Sequence, residues 1–394
     1  MAGLTILADE NIPFAADAFG ALGTVRLKHG RQIAASDLAD VDVLVVRSIT
    51  RVDRALLAGT RVRFVGTATS GSDHVAKDEL EALGVAFHAA LGCNANAVAE
   101  YMATAWLTVA RRTGRTLRGL RVGVVGVGHV GSLVAEKARA LGMVPVLNDP
   151  PKARQTGLDV YRPLDELLDC DIVTCHTPLT RDGDDPTFRL IWDGFLSRLK
   201  RGAWFCNAGR GEVVDEAALH RALDGGRLDA CILDVWGREP AVDGALIARV
   251  DIATPHIAGY SLEGKMNGTS MVYQAACAFL GVEPTWRLED VSPPPNVPRV
   301  AVNATGRDDE AVLADVVGEV YPILRDDERM RQTVALDPIE RGRAFDHQRK
   351  TYPTRREFRQ TSVDVIGGTP AAVASLRALA FQAVASGGGS GLRA

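Results

Sequence analysis

Three side chains of different chemistry, Arg210, Glu239 and His256, each stand just after an apolar run of strand character, at residues 203–208, 230–235 and 251–255. In open α/β sheets, ligands gather at the carboxyl ends of the strands. A guanidinium, a carboxylate and an imidazole brought together there suit the removal or return of a proton while a hydride moves to or from a nicotinamide. The guanidinium offers a planar fork to a substrate carboxylate and never loses its charge. The imidazole titrates near neutrality, and a carboxylate partner favours its protonated form. Taken singly, each has an ordinary structural reading: a solvated loop arginine, a surface glutamate beside Pro240, a hydrogen-bonded core histidine. All three behind a nucleotide motif favour chemistry. His176, in VTCHTPL, is the rival base.

The nucleotide motif is VGVVGVGHVG at residues 122–131, where Gly126, Gly128 and Gly131 fit G-x-G-x-x-G at the end of a Val-rich run. A segment of helical period follows, then a short strand-like run at 144–148 that ends in Asp149, 18 positions past Gly131. Strand, glycine turn, helix, second strand and acid together form the opening of a dinucleotide-binding βαβ unit. Gly126 permits the tight turn, Gly128 lets a pyrophosphate approach the backbone, and Gly131 packs helix on strand. His129 and Val130 present backbone N–H groups at the helix N-terminus, where an anion is favoured. Asp149 selects NAD over NADP, because a carboxylate holds the ribose 2′-hydroxyl and repels a 2′-phosphate. Lys152 and Arg154 nearby soften that preference, while Pro150 and Pro151 stiffen the exit from the strand.

The elements that must position these groups fall into three segments. Residues 4 to about 100 alternate apolar runs (4–8, 41–46, 62–66, 85–87) with helical stretches, a small parallel α/β unit. A long helix follows from Asn94 as N-cap to about Arg112. Strands are expected near residues 121, 144, 171, 203, 230 and 251, enough for a doubly wound sheet. A helix over 261–280 then returns to the first unit, which makes the substrate domain discontinuous: residues 1–100 with 261–290, around a NAD-binding Rossmann domain at 101–260. SPPPNVPR, at 292–299, reads as a linker. Beyond it come a helical run at 309–324, a charged stretch at 349–359, an apolar run at 363–367 and a flexible tail at 386–394. The fold class expected is therefore α/β, two Rossmann-like doubly wound parallel-sheet domains and a smaller C-terminal α+β domain.

Composition sets the outer bounds. With 394 residues, 46% hydrophobic and 24% charged, the chain can bury two or three cores, and a net charge of −4 gives no reason to expect nucleic acid or an anionic membrane as partner. Cys93, Cys170, Cys175, Cys206, Cys231 and Cys277 include no C-x-x-C pair, which fits buried thiols in a reducing cytoplasm and no metal site. Neither a basic, apolar leader nor an apolar span of about 18 residues is present, so a cytoplasmic protein is expected.

NAGRGEVVD (207–215), LDVWGREP (233–240) and TPHIAG (254–259), together with the glycine motif, resemble the D-isomer-specific 2-hydroxyacid dehydrogenases. More narrowly, ADENIP (8–13), VVRSIT (45–50), GTATSGSDH (66–74), GCNANAVAEY (92–101) and HIAGYSLEGK (256–265) resemble the branch that oxidises a phosphorylated four-carbon hydroxy acid in vitamin B6 synthesis. The resemblance extends more thinly to a C-terminal dimerisation domain through FDHQRKTYPTRREF (345–358). It implies that Arg210 holds the substrate carboxylate and polarises the carbonyl, that His256 exchanges the hydroxyl proton, and that Glu239 orients His256. It further implies that Thr177, Asp234 and Gly259 lie at the nicotinamide end, that Ser48, Thr69 and Tyr260 meet the substrate, that His176 is structural, and that the chain is a homodimer at residues 291–385. Asp234 also reads as a strand-end cap, and the hydroxyls of Ser48 and Thr69 as turn closers. The substrate phosphate has two candidate handles: Arg47 with Lys265, or Arg349, Lys350, Arg355 and Arg356 reaching in from a partner subunit, a run that reads equally as a solvated charged helix. Two alternatives stand beside this reading, another enzyme of the family such as a phosphoglycerate dehydrogenase, and a non-catalytic NAD(H)-sensing protein on the same scaffold.

Overall fold

Val-rich runs of four to six residues bounded by turn residues have one stable home, the middle of a sheet covered on both faces, and that is where this chain puts them. The computed structural model describes residues 3–386; the expected tail thus lies, but for its first residue, outside the described residues. The chain forms two compact units, residues 1–95 with 260–294, and 96–259 with 295–394. No helix among the described residues is long and apolar enough to cross a membrane.

The first unit holds a parallel sheet of β1 (Leu4–Asp9), β2 (Gly23–Lys28), β3 (Val43–Val46), β4 (Phe64–Thr67) and β5 (Ala86–Ala89) in the order β2-β1-β3-β4-β5. Sequence reading located four of these strands. The edge strand β2 has only partial burial and no apolar run, which is why it escaped. Helix Leu262–Leu280 joins this unit, with Ser261 accepting a hydrogen bond from Gly264 N as N-cap. Gly66 and Gly268 mark where it lies close on the sheet side: a Cβ on Gly66 would meet Val272 at 2.2 Å, and one on Gly268 would meet the Ala68 carbonyl at 2.6 Å.

The second unit is built on β6 (Arg121–Val125), β7 (Val144–Asn148), β8 (Ile172–Cys175), β9 (Ala203–Asn207), β10 (Leu228–Leu233) and β11 (Ile252–Ala253), all parallel, in the order β11-β10-β9-β8-β6-β7. The chain leaves β6 for β7 on one side and returns to β8 on the other, so the switch point lies between β6 and β8. Trp204, Phe205 and Trp106 are fully buried here, each such side chain stabilising the fold by roughly 2–3 kcal/mol. β11 is only two residues long, shorter than the expected run at 251–255, because Pro255 has no N–H to extend the ladder and the backbone turns into the left-handed region at His256 (φ 57°).

A third sheet in the same unit, β12 (Arg299–Asn303), β13 (Ser362–Ile366) and β14 (Gln382–Ser386), is also parallel. The expected helix at 309–324 ends at Val320, and a separate helix, Leu324–Arg331, follows. Met330 and Phe345, from the C-terminal segment, are fully buried in one apolar cluster with Trp236, Val242 and Leu246 of the nucleotide sheet region.

Candidate active site

β9 ends at Asn207, and the loop after it is shaped by two glycines that leave no room for side chains. A Cβ on Gly209 would stand 3.1 Å from the Thr177 carbonyl, and one on Gly211 only 1.9 Å from the Trp236 carbonyl. Asn207 braces the same turn, Nδ2 donating to the Arg210 carbonyl (3.0 Å) and Oδ1 accepting from Gly209 N (3.1 Å). Arg210 is thereby held, half-buried, on a loop pressed against the exits of β8 and β10.

The next two exits are tied to each other. Asp234, buried at the end of β10, accepts from Thr254 Oγ1 (2.7 Å), Ile257 N (2.7 Å) and Ala258 N (3.0 Å), and its own carbonyl accepts from His256 N (2.7 Å). Tyr101 OH pairs with Thr254 Oγ1 at 2.8 Å, and Trp236 Nε1 donates to the Thr254 carbonyl at 3.0 Å. Between these fastenings, His256 Nδ1 lies 2.7 Å from Glu239 Oε2, while Glu239 Oε1 accepts from Trp236 N at 3.0 Å. Burial alone would raise the Glu239 carboxyl, but the charge of His256, its hydrogen bond, the Trp236 N–H and the charge of Arg349 outweigh it and hold the carboxyl below its ordinary range. An ionised Glu239 fixes Nδ1 as a donor, so Nε2 is the atom left to exchange a proton with a ligand.

The rival base does not fit that task. His176 is buried with Nε2 against Thr174 Oγ1 at 2.8 Å, and burial pushes it down to about 3, which keeps it neutral at physiological pH.

The glycine turn has the shape a dinucleotide needs. Gly126 takes φ 82°, and a Cβ on Gly131 would lie 1.9 Å from the Gly126 carbonyl, so helix His129–Ala140 starts tight against the turn. By contrast, nothing lies within 4 Å of where a Gly128 Cβ would be, and His129 is exposed. A backbone with open space above it, at the start of a 12-residue helix beside the switch point, fits a pyrophosphate. Thr177 Oγ1, next to Gly126 at the exit of β8, is buried without a hydrogen-bond partner among the described residues, as expected of a group awaiting a ligand. Asp149 caps helix Pro150–Thr156, accepting from Lys152 N (3.0 Å) and from Val127 N (2.8 Å), so its carboxylate is pinned beside the glycine turn. Lys152 is drawn to the Val127 carbonyl at 2.5 Å. Among the described residues no cluster of three or more His, Cys, Asp or Glu side chains could hold a metal ion.

The remaining candidates lie in the first unit. Ser48 is exposed in the turn after β3. Thr69 follows β4, its hydroxyl within 2.7 Å of Thr67 Oγ1 and donating to the Gly71 carbonyl at 2.9 Å, while His74 Nε2 reaches Thr67 at 3.1 Å. Tyr260 is half-buried under Lys265, whose Nζ stands 4.9 Å from the ring centroid. Arg47 is paired with the buried Asp9 at 3.1 Å. In the second unit, the charged stretch at 349–359 proves not to be a solvated helix: helix Pro338–Lys350 ends within it, and Arg355 and Arg356 are buried. Arg355 donates to the Ala97 carbonyl (3.2 Å) and stacks on Tyr321 at 4.5 Å. Sequence reading missed the fastening set Tyr101, Thr254 and Trp236; Tyr101 is 153 residues from Thr254, a separation that leaves no local trace.

A doubly wound parallel sheet with a dinucleotide turn at its switch point, and a His–Glu pair on the loops after β10 and β11, defines an NAD-dependent 2-hydroxyacid dehydrogenase. Residues 87–258 match the NAD-binding domain of the D-isomer specific 2-hydroxyacid dehydrogenases, and residues 291–379 match a domain of unknown function. Over 96% of its length the chain is 44% identical to erythronate-4-phosphate dehydrogenase of Marinobacter nauticus, covering 99% of that protein. Against the Salinibacter ruber enzyme of the same name it is 46% identical, covering 92% of this chain and 94% of that one. The chain belongs to the erythronate-4-phosphate dehydrogenase family. Among solved structures, the NAD+-bound 3-phosphoglycerate dehydrogenase of Entamoeba histolytica has the same fold, with a TM-score of 0.62 at 23% identity over 71% of this chain and 96% of that one. The TT0316 protein of Thermus thermophilus aligns with a TM-score of 0.61 at 26% identity, over 71% and 98% of the two chains.

Proposed function

We infer that this chain catalyses the NAD-dependent oxidation of 4-phospho-D-erythronate to (R)-3-hydroxy-2-oxo-4-phosphooxybutanoate, a step of pyridoxal 5′-phosphate biosynthesis. The observation that carries the reaction type is the 2.7 Å contact of His256 Nδ1 with an ionised Glu239, held on the loops after β10 and β11. When bound, NAD supplies the acceptor for the C2 hydride. His256 Nε2 takes the C2 hydroxyl proton as the carbonyl forms, and returns it in the reverse direction. Glu239 fixes the tautomer and stabilises the imidazolium that results. Arg210 binds the substrate carboxylate through its planar fork and draws electron density from the new carbonyl.

Gly126, Gly128, His129, Val130 and Gly131 hold the pyrophosphate, and Asp149 takes the ribose 2′-hydroxyl, which favours NAD over NADP. Thr177, Asp234 and Gly259 serve the nicotinamide end. Asp234 does so indirectly, since its hydrogen bonds set the His256 loop. Ser48, Thr69 and Tyr260 bind substrate; residues 1–100 with 261–290 form the substrate domain, and residues 101–260 bind NAD. Residues 291–385 form a homodimer, and the enzyme works in the cytoplasm. The deciding experiment is an NADH-linked assay of the full chain across phosphorylated and unphosphorylated three- and four-carbon 2-hydroxy acids. Turnover is expected to be greatest with 4-phospho-D-erythronate; preference for 3-phosphoglycerate, or dinucleotide binding without turnover, would overturn the reading. Light scattering of the full chain tests the dimer.

A further inference from the structure

Helix Pro338–Lys350, in the segment that matches a domain of unknown function, lies on the loop that carries Glu239. Gly342, Phe345 and Arg349 are three and four residues apart and share one face of it. Gly342 faces Pro240, with the position of its absent Cβ 3.5 Å from the Pro240 carbonyl. Phe345 is fully buried in the cluster that contains Trp236 and Val242, which stand on the two sides of Glu239 along the loop, each a few positions away. Arg341, from the preceding turn, donates to the Val242 carbonyl at 3.1 Å. Arg349 comes next along this face; its guanidinium stands 5.7 Å from the Phe345 ring centroid, and its charge acts on Glu239.

We propose that Arg349 is a positioning residue for the catalytic pair: its cation, delivered by the C-terminal helix onto the Glu239 loop, offsets part of the negative charge that Glu239 presents to His256. Nothing in the reaction assigned to Arg210, Glu239 and His256 requires this group, yet it bears on how strongly His256 holds its proton. Asp234 and Arg238 belong to the loop after β10, Glu216 accepts from Gly237 N at 2.8 Å, and Arg349 comes from the C-terminal helix. Asp234 and Glu239 both present carboxylates to His256, and the Arg349 cation bears on Glu239. With the cation in place, Glu239 presents less negative charge to the imidazole than it would alone.

The inference rests on the dehydrogenase reading, and the test separates the two. In the full chain, Arg349→Met and Arg349→Lys are compared with the parent enzyme through pH profiles of kcat and kcat/KM in both directions, with phosphorylated and dephosphorylated erythronate. Parent turnover of 4-phospho-D-erythronate tests the reading itself. Given that turnover, Arg349→Met is expected to move the ionisation that governs both directions to higher pH by at least about half a unit, the scale of one charge removed at partly screened range. Arg349→Lys, which keeps the charge, is expected to bring it back. A profile unchanged in Arg349→Met would overturn the proposal. A raised KM confined to the phosphorylated substrate would assign Arg349 to the phosphate instead. Equal loss in both variants without a pH shift would reduce it to packing.

Discussion

Two residues carry the chemistry most directly, and both make specific predictions. His256 sits at φ 57°, a conformation that asparagine tolerates better than most side chains, so His256→Asn removes the proton carrier with little strain. It is expected to bind NAD as before and to lower kcat by at least ~10²-fold; near-normal turnover in that variant would remove His256 from the mechanism. Glu239→Gln leaves a hydrogen-bonding group but takes away the negative charge 2.7 Å from Nδ1. The pH profile of ketone reduction, which needs the protonated imidazole, is then expected to shift to lower pH, and an unmoved profile would leave Glu239 without an electrostatic part. The sign is opposite to that expected for Arg349→Met, so the two variants check each other.

At the scale of elements, the Arg210 loop is positioned by what it cannot accommodate. A methyl on Gly211 would stand 1.9 Å from the Trp236 carbonyl, and that carbonyl belongs to the residue whose N–H binds Glu239. Gly211→Ala must therefore push apart the exits of β9 and β10. A displacement near 1 Å at reacting groups costs up to ~10²-fold in rate, so this variant is expected to keep its circular dichroism spectrum and NAD titration while kcat falls at least ~10-fold. Full activity would mean that the close approach is incidental. The element reading also explains why β11 is short. The sequence run 251–255 has strand composition, but Pro255 and the turn at His256 end the ladder after Ala253.

At the scale of the whole molecule, the C-terminal segment is fastened to the nucleotide sheet region by buried charge as well as by apolar packing. Glu100 and Glu357, both buried, share the Asn96 amide at 2.9 and 2.8 Å, and Phe358 N donates to Glu100 at 3.0 Å. Lys137, also buried, reaches the Leu379 carbonyl at 2.8 Å. Burial, reinforced by Glu357, pushes the Glu100 carboxyl up to about 8 from an ordinary 4.5. Below about 4.5 both folded and unfolded chains carry the proton; between there and about 8 only the folded chain keeps it, so this group takes stability away as pH rises. Tm is expected to decline across that window, and Glu100→Gln, which cannot ionise, to flatten the decline. An equally steep slope in the variant would assign the pH dependence to other groups.

Whatever is written locally is legible in the chain before it folds. The glycine turn at 126–131, the acid at Asp149 and the helix start at Ser261 follow from backbone freedom, spacing and capping, which act within a few residues. The order of apolar runs likewise fixed two parallel sheets, because each buried run must find neighbours on both sides. Where distant side chains meet is settled only by folding. Tyr101 reaches Thr254, Glu357 reaches Asn96, and helix Pro338–Lys350 lies on the loop of Glu239, across separations no periodicity encodes. The run 349–359 is the sharpest case. Its composition reads as a solvated charged helix, yet Arg355 and Glu357 are buried, because the Ala97 carbonyl and the Tyr321 ring supply partners for the one and Asn96 and Arg359 for the other. Whether a charge is solvated or buried depends on the partners that folding assembles around it, and those lie elsewhere in the chain.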